Sequence, residues 1–123
     1  MQILLTLHDV LAQMANDCPE VQGAVVATGD GLVLAAQGML QGDTPAACAA
    51  SLSGQVEDSL SLIQQTRLSE MLLWSPPGLW HISRLAHGHL LMTYAASGEH
   101  AGAVRLAGRI AGQRMALMLS PAD

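Results

Sequence analysis

Lysine and phenylalanine are absent from this chain of 123 residues, and tyrosine occurs only once. Five arginines are the only strong bases, and the formal net charge is -5. The chain therefore lacks the positive surface with which proteins neutralise phosphate backbones, and neither DNA nor RNA is an expected partner. The absence of lysine also excludes a P-loop, whose lysine contacts the nucleotide phosphates, and the sequence contains no GxGxxG motif.

Cysteine and long hydrophobic runs are scarce as well. Cys18 and Cys48 are the only cysteines, they are well separated, and neither belongs to a CxxC pair. These features do not indicate a disulfide framework, and they favour a location in a reducing compartment. No apolar run approaches the ~20 residues of a membrane-spanning helix, and residues 1–9 lack the basic region of a signal peptide. We therefore expect a cytoplasmic protein without membrane insertion.

Aliphatic residues are abundant in the chain. Half of all residues are hydrophobic, and a chain of this length can bury roughly two-thirds of its unfolded surface. Residues 1–123 are therefore expected to form a single domain, with a short disordered tail at 120–123. Only 12% of the residues are charged, which makes a surface for self-association plausible.

Apolar periodicity predicts eight elements of secondary structure. Helical spacing occurs over residues 2–16, 45–67 and 99–119. The β-type runs are 24–28, 32–36, 70–74, 79–85 and 89–95. The order α-β-β-α-β-β-β-α predicts an α/β fold of the α+β type, with a five-stranded antiparallel sheet and helices on both faces.

Two dipeptides predict tight turns between strands. Asp30 and Gly31 are expected to form a two-residue hairpin turn, because glycine accepts positive φ without penalty. His87 and Gly88 are expected to form a second turn, whose geometry would pair His81 with Tyr94 on the neighbouring strand. In the second helix, the larger apolar residues are expected to face the core, namely Cys48, Leu52, Val56, Leu60 and Ile63.

The segment of residues 21–35 reads VQGAVVATGDGLVLA. Together with the order of elements, this hairpin resembles the Roadblock/LC7 family, which is related to longin and profilin-like domains, and the resemblance covers residues 4–118. It implies a homodimer with one continuous sheet and the two long helices side by side. Bacterial members of the family are partners or regulators of small Ras-like GTPases, whereas eukaryotic members serve in dynein or in scaffolds that recruit GTPases.

Candidate catalytic and metal-binding groups do not converge in the sequence. There is no GxSxG motif, and neither cysteine has an adjacent base. Along the predicted strand, His81 lies roughly 20 Å from His87, and His87 with His89 would supply only two zinc ligands. Arg105 and Arg109 could form an anion-binding or arginine-finger site, although a solvated helix face is the simpler interpretation. We therefore expect no enzymatic activity, no cofactor and no metal.

The predicted strand at 70–74 is the candidate site of self-association. In the family's arrangement it is an edge strand, and it contains no lysine or proline that would block pairing with another chain. Pairing with the same strand of a second copy would satisfy its backbone and create a two-fold interface. The predicted dimer interface comprises Glu70, Met71, Leu72, Leu73 and Trp74, together with the helix at 45–67.

The resemblance also implies that a GTPase rests on the paired second helices. By position, the candidate contacts are Ser53, Glu57, Ser61 and Gln64. The sequence thus predicts a non-catalytic, homodimeric signalling protein of bacterial type that binds and regulates or scaffolds a small Ras-like GTPase. Two alternatives stay open: a sensory module that binds a small molecule, and a structural scaffold without a switch function.

Overall fold

A computed structural model describes residues 6–64 and 67–119. The predicted start of the first helix at residue 2, residues 65–66 of the predicted second helix and the predicted tail at 120–123 lie outside this description. The elements are α1 (Leu7–Asp17), β1 (Val21–Ala27), β2 (Val33–Gly38), α2 (Thr44–Ile63), β3 (Glu70–Ser75), β4 (Gly78–Arg84), β5 (Leu90–Ala95) and α3 (Ala101–Met115). Their order confirms the predicted fold class.

The five strands form one antiparallel sheet in the order β2-β1-β5-β4-β3. Helices α1 and α3 cover one face of this sheet, where their buried residues form a cluster with Val26 of β1 and Leu91 of β5. Helix α2 covers part of the opposite face and contacts Val25 and Met92 through its buried alanines. Both faces of β1 are therefore covered, which explains why its sequence is apolar throughout rather than alternating.

Helix α1 begins with a reciprocal capping box. The backbone N–H of Asp9 donates to Thr6 Oγ1 at 3.1 Å, and the backbone N–H of Thr6 donates to the Asp9 carboxylate at 2.9 Å. These bonds satisfy two of the donors that a helix N-terminus leaves free. In the part of the chain that the structure describes, no helix is long and apolar enough to cross a lipid bilayer.

The hairpin between β1 and β2 differs from the predicted two-residue turn. Five residues separate the strands, and the N–H of Gly31 donates to the carbonyl of Thr28 at 3.0 Å. Gly31 has a φ of 96°, whereas Asp30 does not have a positive φ. Asp30 instead accepts a hydrogen bond from the Thr28 hydroxyl. The loop is therefore longer than predicted, and only its glycine uses the left-handed region.

The connection between β4 and β5 also corrects the sequence prediction. A short 3₁₀ turn at Ala86–Gly88 separates the two strands, and the N–H of Leu85 donates to the carbonyl of His89 at 2.7 Å. As a result, His81 pairs with Thr93 rather than with Tyr94. The predicted register was wrong by one residue because the turn contains more residues than a two-residue hairpin.

Candidate interaction surface

Strand β3 forms one edge of the sheet, as predicted. The N–H of Arg84 donates to the carbonyl of Ser69 at 2.8 Å, and the register continues from there without interruption. Because hydrogen-bonded and non-hydrogen-bonded pairs alternate between antiparallel strands, the backbone groups of Glu70, Leu72 and Trp74 point away from β4. The free edge thus presents three consecutive sets of N–H and C=O groups to the outside.

The side chains of β3 divide between the two faces of the sheet. Leu72 lies on the α3 side, where it packs against a buried cluster that includes Leu79 and Val104. Trp74 is 56% exposed, and its indole N–H donates to the carbonyl of Gly98 at 3.2 Å. Leu73 is 37% exposed and lies on the opposite face, beside the groove described below. The predicted interface residues therefore differ in exposure and in the face of the sheet on which they lie.

Helix α2 turns a different face to the sheet than the sequence predicts. Its buried residues are Ala46, Ala49 and Ser53, whereas Cys48 and Ile63 of the predicted core face are exposed. Small side chains allow the helix to approach the sheet closely, and this close contact buries them in preference to the larger residues beside them. The predicted burial of Cys48 and Ile63 was wrong for this reason.

An apolar groove separates α2 from the edge strand. It has a volume of about 470 Å³ and is open to solvent. Cys48 and Leu52 form the helical wall, Leu73 forms the wall at the sheet edge, and Trp80 and Met92 lie between them. The larger apolar residues at the N-terminal half of α2 thus face a groove that nothing within the described chain fills.

The predicted contact residues on α2 do not share one surface. Ser53 is 3% exposed and faces the sheet, so its assignment to the outer face was wrong. Glu57 is half-buried and accepts a hydrogen bond from the Arg84 guanidinium, in an ion pair that joins α2 to β4. Ser61 and Gln64 are exposed near the helix end. Between them lies Leu62, which is 88% exposed and which no pattern in the sequence marks as a contact residue.

The α3 face of the sheet carries a polar cluster beneath the same edge. The Glu70 carboxylate accepts hydrogen bonds from Arg105 Nε at 2.5 Å and from His81 Nε2 at 3.2 Å. The Arg105 guanidinium holds the pKa of Glu70 below its ordinary value. Burial lowers the pKa of His81, although its hydrogen bond to Glu70 opposes this shift. The sequence could not reveal this cluster, because its members come from three separate elements.

Because the pKa of His81 is lowered in the folded protein, the free energy of unfolding is expected to depend on pH. The unfolded chain binds the proton more readily than the folded chain, so we expect the free energy of unfolding to fall as pH drops below 6.5, the ordinary value for histidine. The lowered pKa of Glu70 changes the free energy of unfolding only below about pH 4.5, so Glu70 does not affect the slope in this range of pH. Urea unfolding between about pH 7.5 and 5.5 measures the slope.

Two variants separate His81 from the other histidines in that experiment. We expect His81→Gln to flatten the slope, because the buried titrating group is removed. His87→Gln should retain the slope of the wild-type protein, since His87 is exposed. An unchanged slope in His81→Gln would show that another group causes the loss of stability.

Comparison with known proteins identifies the fold. No protein-family model and no curated protein matches the sequence. A Roadblock/LC7 domain from Streptomyces avermitilis is 20% identical, with a TM-score of 0.82 over 94% of this chain and 100% of that chain. MglB with a tetrameric arrangement is 19% identical, with a TM-score of 0.81 over 94% of this chain and 92% of that chain. Myxococcus xanthus MglB is 12% identical, with a TM-score of 0.83 over 95% of this chain and 97% of that chain.

These similarities extend over nearly the whole length of the chains compared, so they concern the complete arrangement of helices and sheet. At such low sequence identity they establish architecture rather than activity. The resemblance carried by residues 21–35 and by the order of elements is confirmed at this level. The chain has the fold of the Roadblock/LC7 domains.

Proposed function

We propose that the protein is a non-catalytic homodimer that binds a small Ras-like GTPase and regulates or scaffolds it. The observation that carries the proposal is the open edge of β3 directly beside an unfilled apolar groove. The likeness to MglB structures, one of which has a tetrameric arrangement, supports self-association within this fold. A cytoplasmic location agrees with two free cysteines and with a GTPase partner.

A second copy of the chain would cover both the edge and the groove. Pairing of β3 with its two-fold mate would satisfy the outward backbone groups of Glu70, Leu72 and Trp74. The same operation would bring Leu73 of each copy close to the dimer axis. Because Leu73 also lines the groove, the grooves of the two copies would meet and exclude water together. A single two-fold contact would thus cover both the free edge of β3 and the open groove.

The C-terminal end of α2 is the part of the surface that we assign to the GTPase. Leu62 and Ile63 are 88% and 72% exposed, and they are flanked by the exposed polar residues Ser61 and Gln64. An apolar pair with a polar rim is typical of the centre of a protein interface. This site retains two of the four contact residues suggested by the sequence and adds the two apolar ones.

The proposal is tested by retention of a GTPase on the immobilised protein. A lysate of the source organism is supplied with GDP or with a non-hydrolysable GTP analogue, and retained proteins are identified by mass spectrometry. We expect a Ras-like GTPase that is retained with one nucleotide in preference to the other. Equal retention with both nucleotides would support a scaffold, and retention of no GTPase would contradict the proposal.

The variant Leu62→Asp tests whether the C-terminal end of α2 is the contact with the GTPase. A charge in the centre of the apolar pair should reduce GTPase retention by roughly tenfold or more, because the aspartate loses its hydration when the partner covers it. Leu106→Asp is the matched control, since Leu106 is 55% exposed on α3, on the other side of the sheet. If both variants retain the GTPase as the wild-type protein does, the contact lies elsewhere.

A further inference from the structure

A second pocket lies on the α3 side of the sheet, opposite the face that carries α2. It has a volume of about 330 Å³ and opens between α3 and the strands β3 and β4. This volume is at the lower end of the range for small-molecule sites. The pocket is open to solvent.

The wall formed by β4 contributes buried polar atoms without partners. The side chain of His81 is 2% exposed, and its Nδ1 has no hydrogen-bond partner among the described residues. Because the Glu70 carboxylate can only accept, His81 Nε2 carries the proton and Nδ1 is a free acceptor. Ser83 Oγ is also buried and without a partner in the described part of the chain. Both residues line the pocket, but these two atoms are themselves buried from solvent, and His81 Nδ1 faces Gly108 of α3, so a ligand in the pocket would not contact them directly.

The wall formed by α3 is positively charged. Arg105 and Arg109 line the pocket one helical turn apart, and α3 contains no acidic residue. Arg105 pairs with Glu70, whereas no carboxylate of the described residues lies within ion-pair distance of Arg109. Arg84 also borders the pocket, but its guanidinium bonds Glu57 and the carbonyl of Leu68. Arg109 is thus the cation available to a ligand.

We propose that this pocket binds a small organic anion that carries a carboxylate or phosphate group. The anionic group would meet Arg109, the Glu70–Arg105 ion pair would border the site, and the exposed side-chain amide of Gln113, which also lines the pocket, would donate a further hydrogen bond to the ligand. The site goes beyond the proposed GTPase partnership, because it uses the opposite face of the sheet and none of the exposed residues at the end of α2. It also gives Arg109 of α3 a target that the sequence alone did not provide.

Nuclear magnetic resonance titration of the full chain tests the proposal. Citrate, glycerol phosphate and inorganic phosphate serve as separate probes, and sodium chloride at matched ionic strength reports non-specific screening. We expect saturable shifts of amide signals around the pocket with citrate or with a phosphate probe. The stronger of these probes indicates whether the ligand class is carboxylate or phosphate. Absence of saturable shifts with all three probes would overturn the proposal.

Arg109→Gln and Arg114→Gln form a matched pair for this titration. Both remove one positive charge from an exposed arginine of α3, but only Arg109 lines the pocket. Loss of a charge-assisted hydrogen bond should weaken probe binding by roughly tenfold in Arg109→Gln. Binding to Arg114→Gln should stay close to that of the wild-type protein. Equal weakening in both variants would indicate general electrostatic attraction and would also overturn the proposal.

Discussion

Replacement of Leu73 by aspartate is expected to convert the proposed dimer into a folded monomer. Leu73 is 37% exposed in the single chain, so an aspartate at this position would keep contact with water there. In the proposed dimer, two aspartates would approach one another in an apolar groove at the two-fold axis. An uncompensated buried charge costs about 4 kcal/mol, so the dissociation constant should rise by roughly three orders of magnitude. Light scattering over a range of concentrations measures the change.

Leu34→Asp is the matched control for this experiment. Leu34 is 42% exposed and lies on β2, the strand at the other edge of the sheet. It should leave the dimer intact. Leu72 is less suitable as a test position, because it packs against buried residues of the same chain and its replacement would weaken the monomer as well. A monomeric wild-type protein, or equal dissociation of both variants, would refute the proposed interface.

The fold was predictable because its signals are local and repeat along the chain. The apolar periodicity of α1 and α3 and the β-type runs each depend on neighbouring residues, so the order of elements follows from the sequence. The register between β4 and β5 did not follow, since it depends on how many residues the turn around His87 and Gly88 uses. A difference of one residue there changes every pair along the two strands.

The site was predictable only in part, for a related reason. That β3 is an edge strand follows from the family's arrangement, and the structure confirms it. The orientation of α2 was missed because hydrophobicity ranks leucine above alanine, whereas close packing on the sheet favours Ala46 and Ala49. The bonds of Glu70 to His81 and Arg105 join residues up to 35 positions apart, and no periodic pattern records such contacts.

Gly23 lies within residues 21–35, and a larger side chain at this position would collide with backbone atoms. It lies directly opposite Gly38 in the pairing of β1 with β2, where the chain continues past β1 and the N–H of Met39 donates to the carbonyl of Gln22 at 3.0 Å. A Cβ atom on Gly23 would lie 2.7 Å from the backbone nitrogen of Met39 and 2.9 Å from that of Leu40. Both neighbours are backbone atoms, so no change of rotamer can relieve the contact.

Gly23→Ala is therefore expected to lower the free energy of unfolding by about 3 kcal/mol, at the upper end of the usual cost of overpacking. Gly54→Ala provides the opposite case, because Gly54 lies in α2 and a Cβ atom there would meet nothing within 4 Å. That replacement should raise the free energy of unfolding by about 1 kcal/mol through helix propensity. Urea unfolding at one protein concentration measures both changes. Unchanged stability of Gly23→Ala would contradict the close contact between Gly23 and the backbone of residues 37–40.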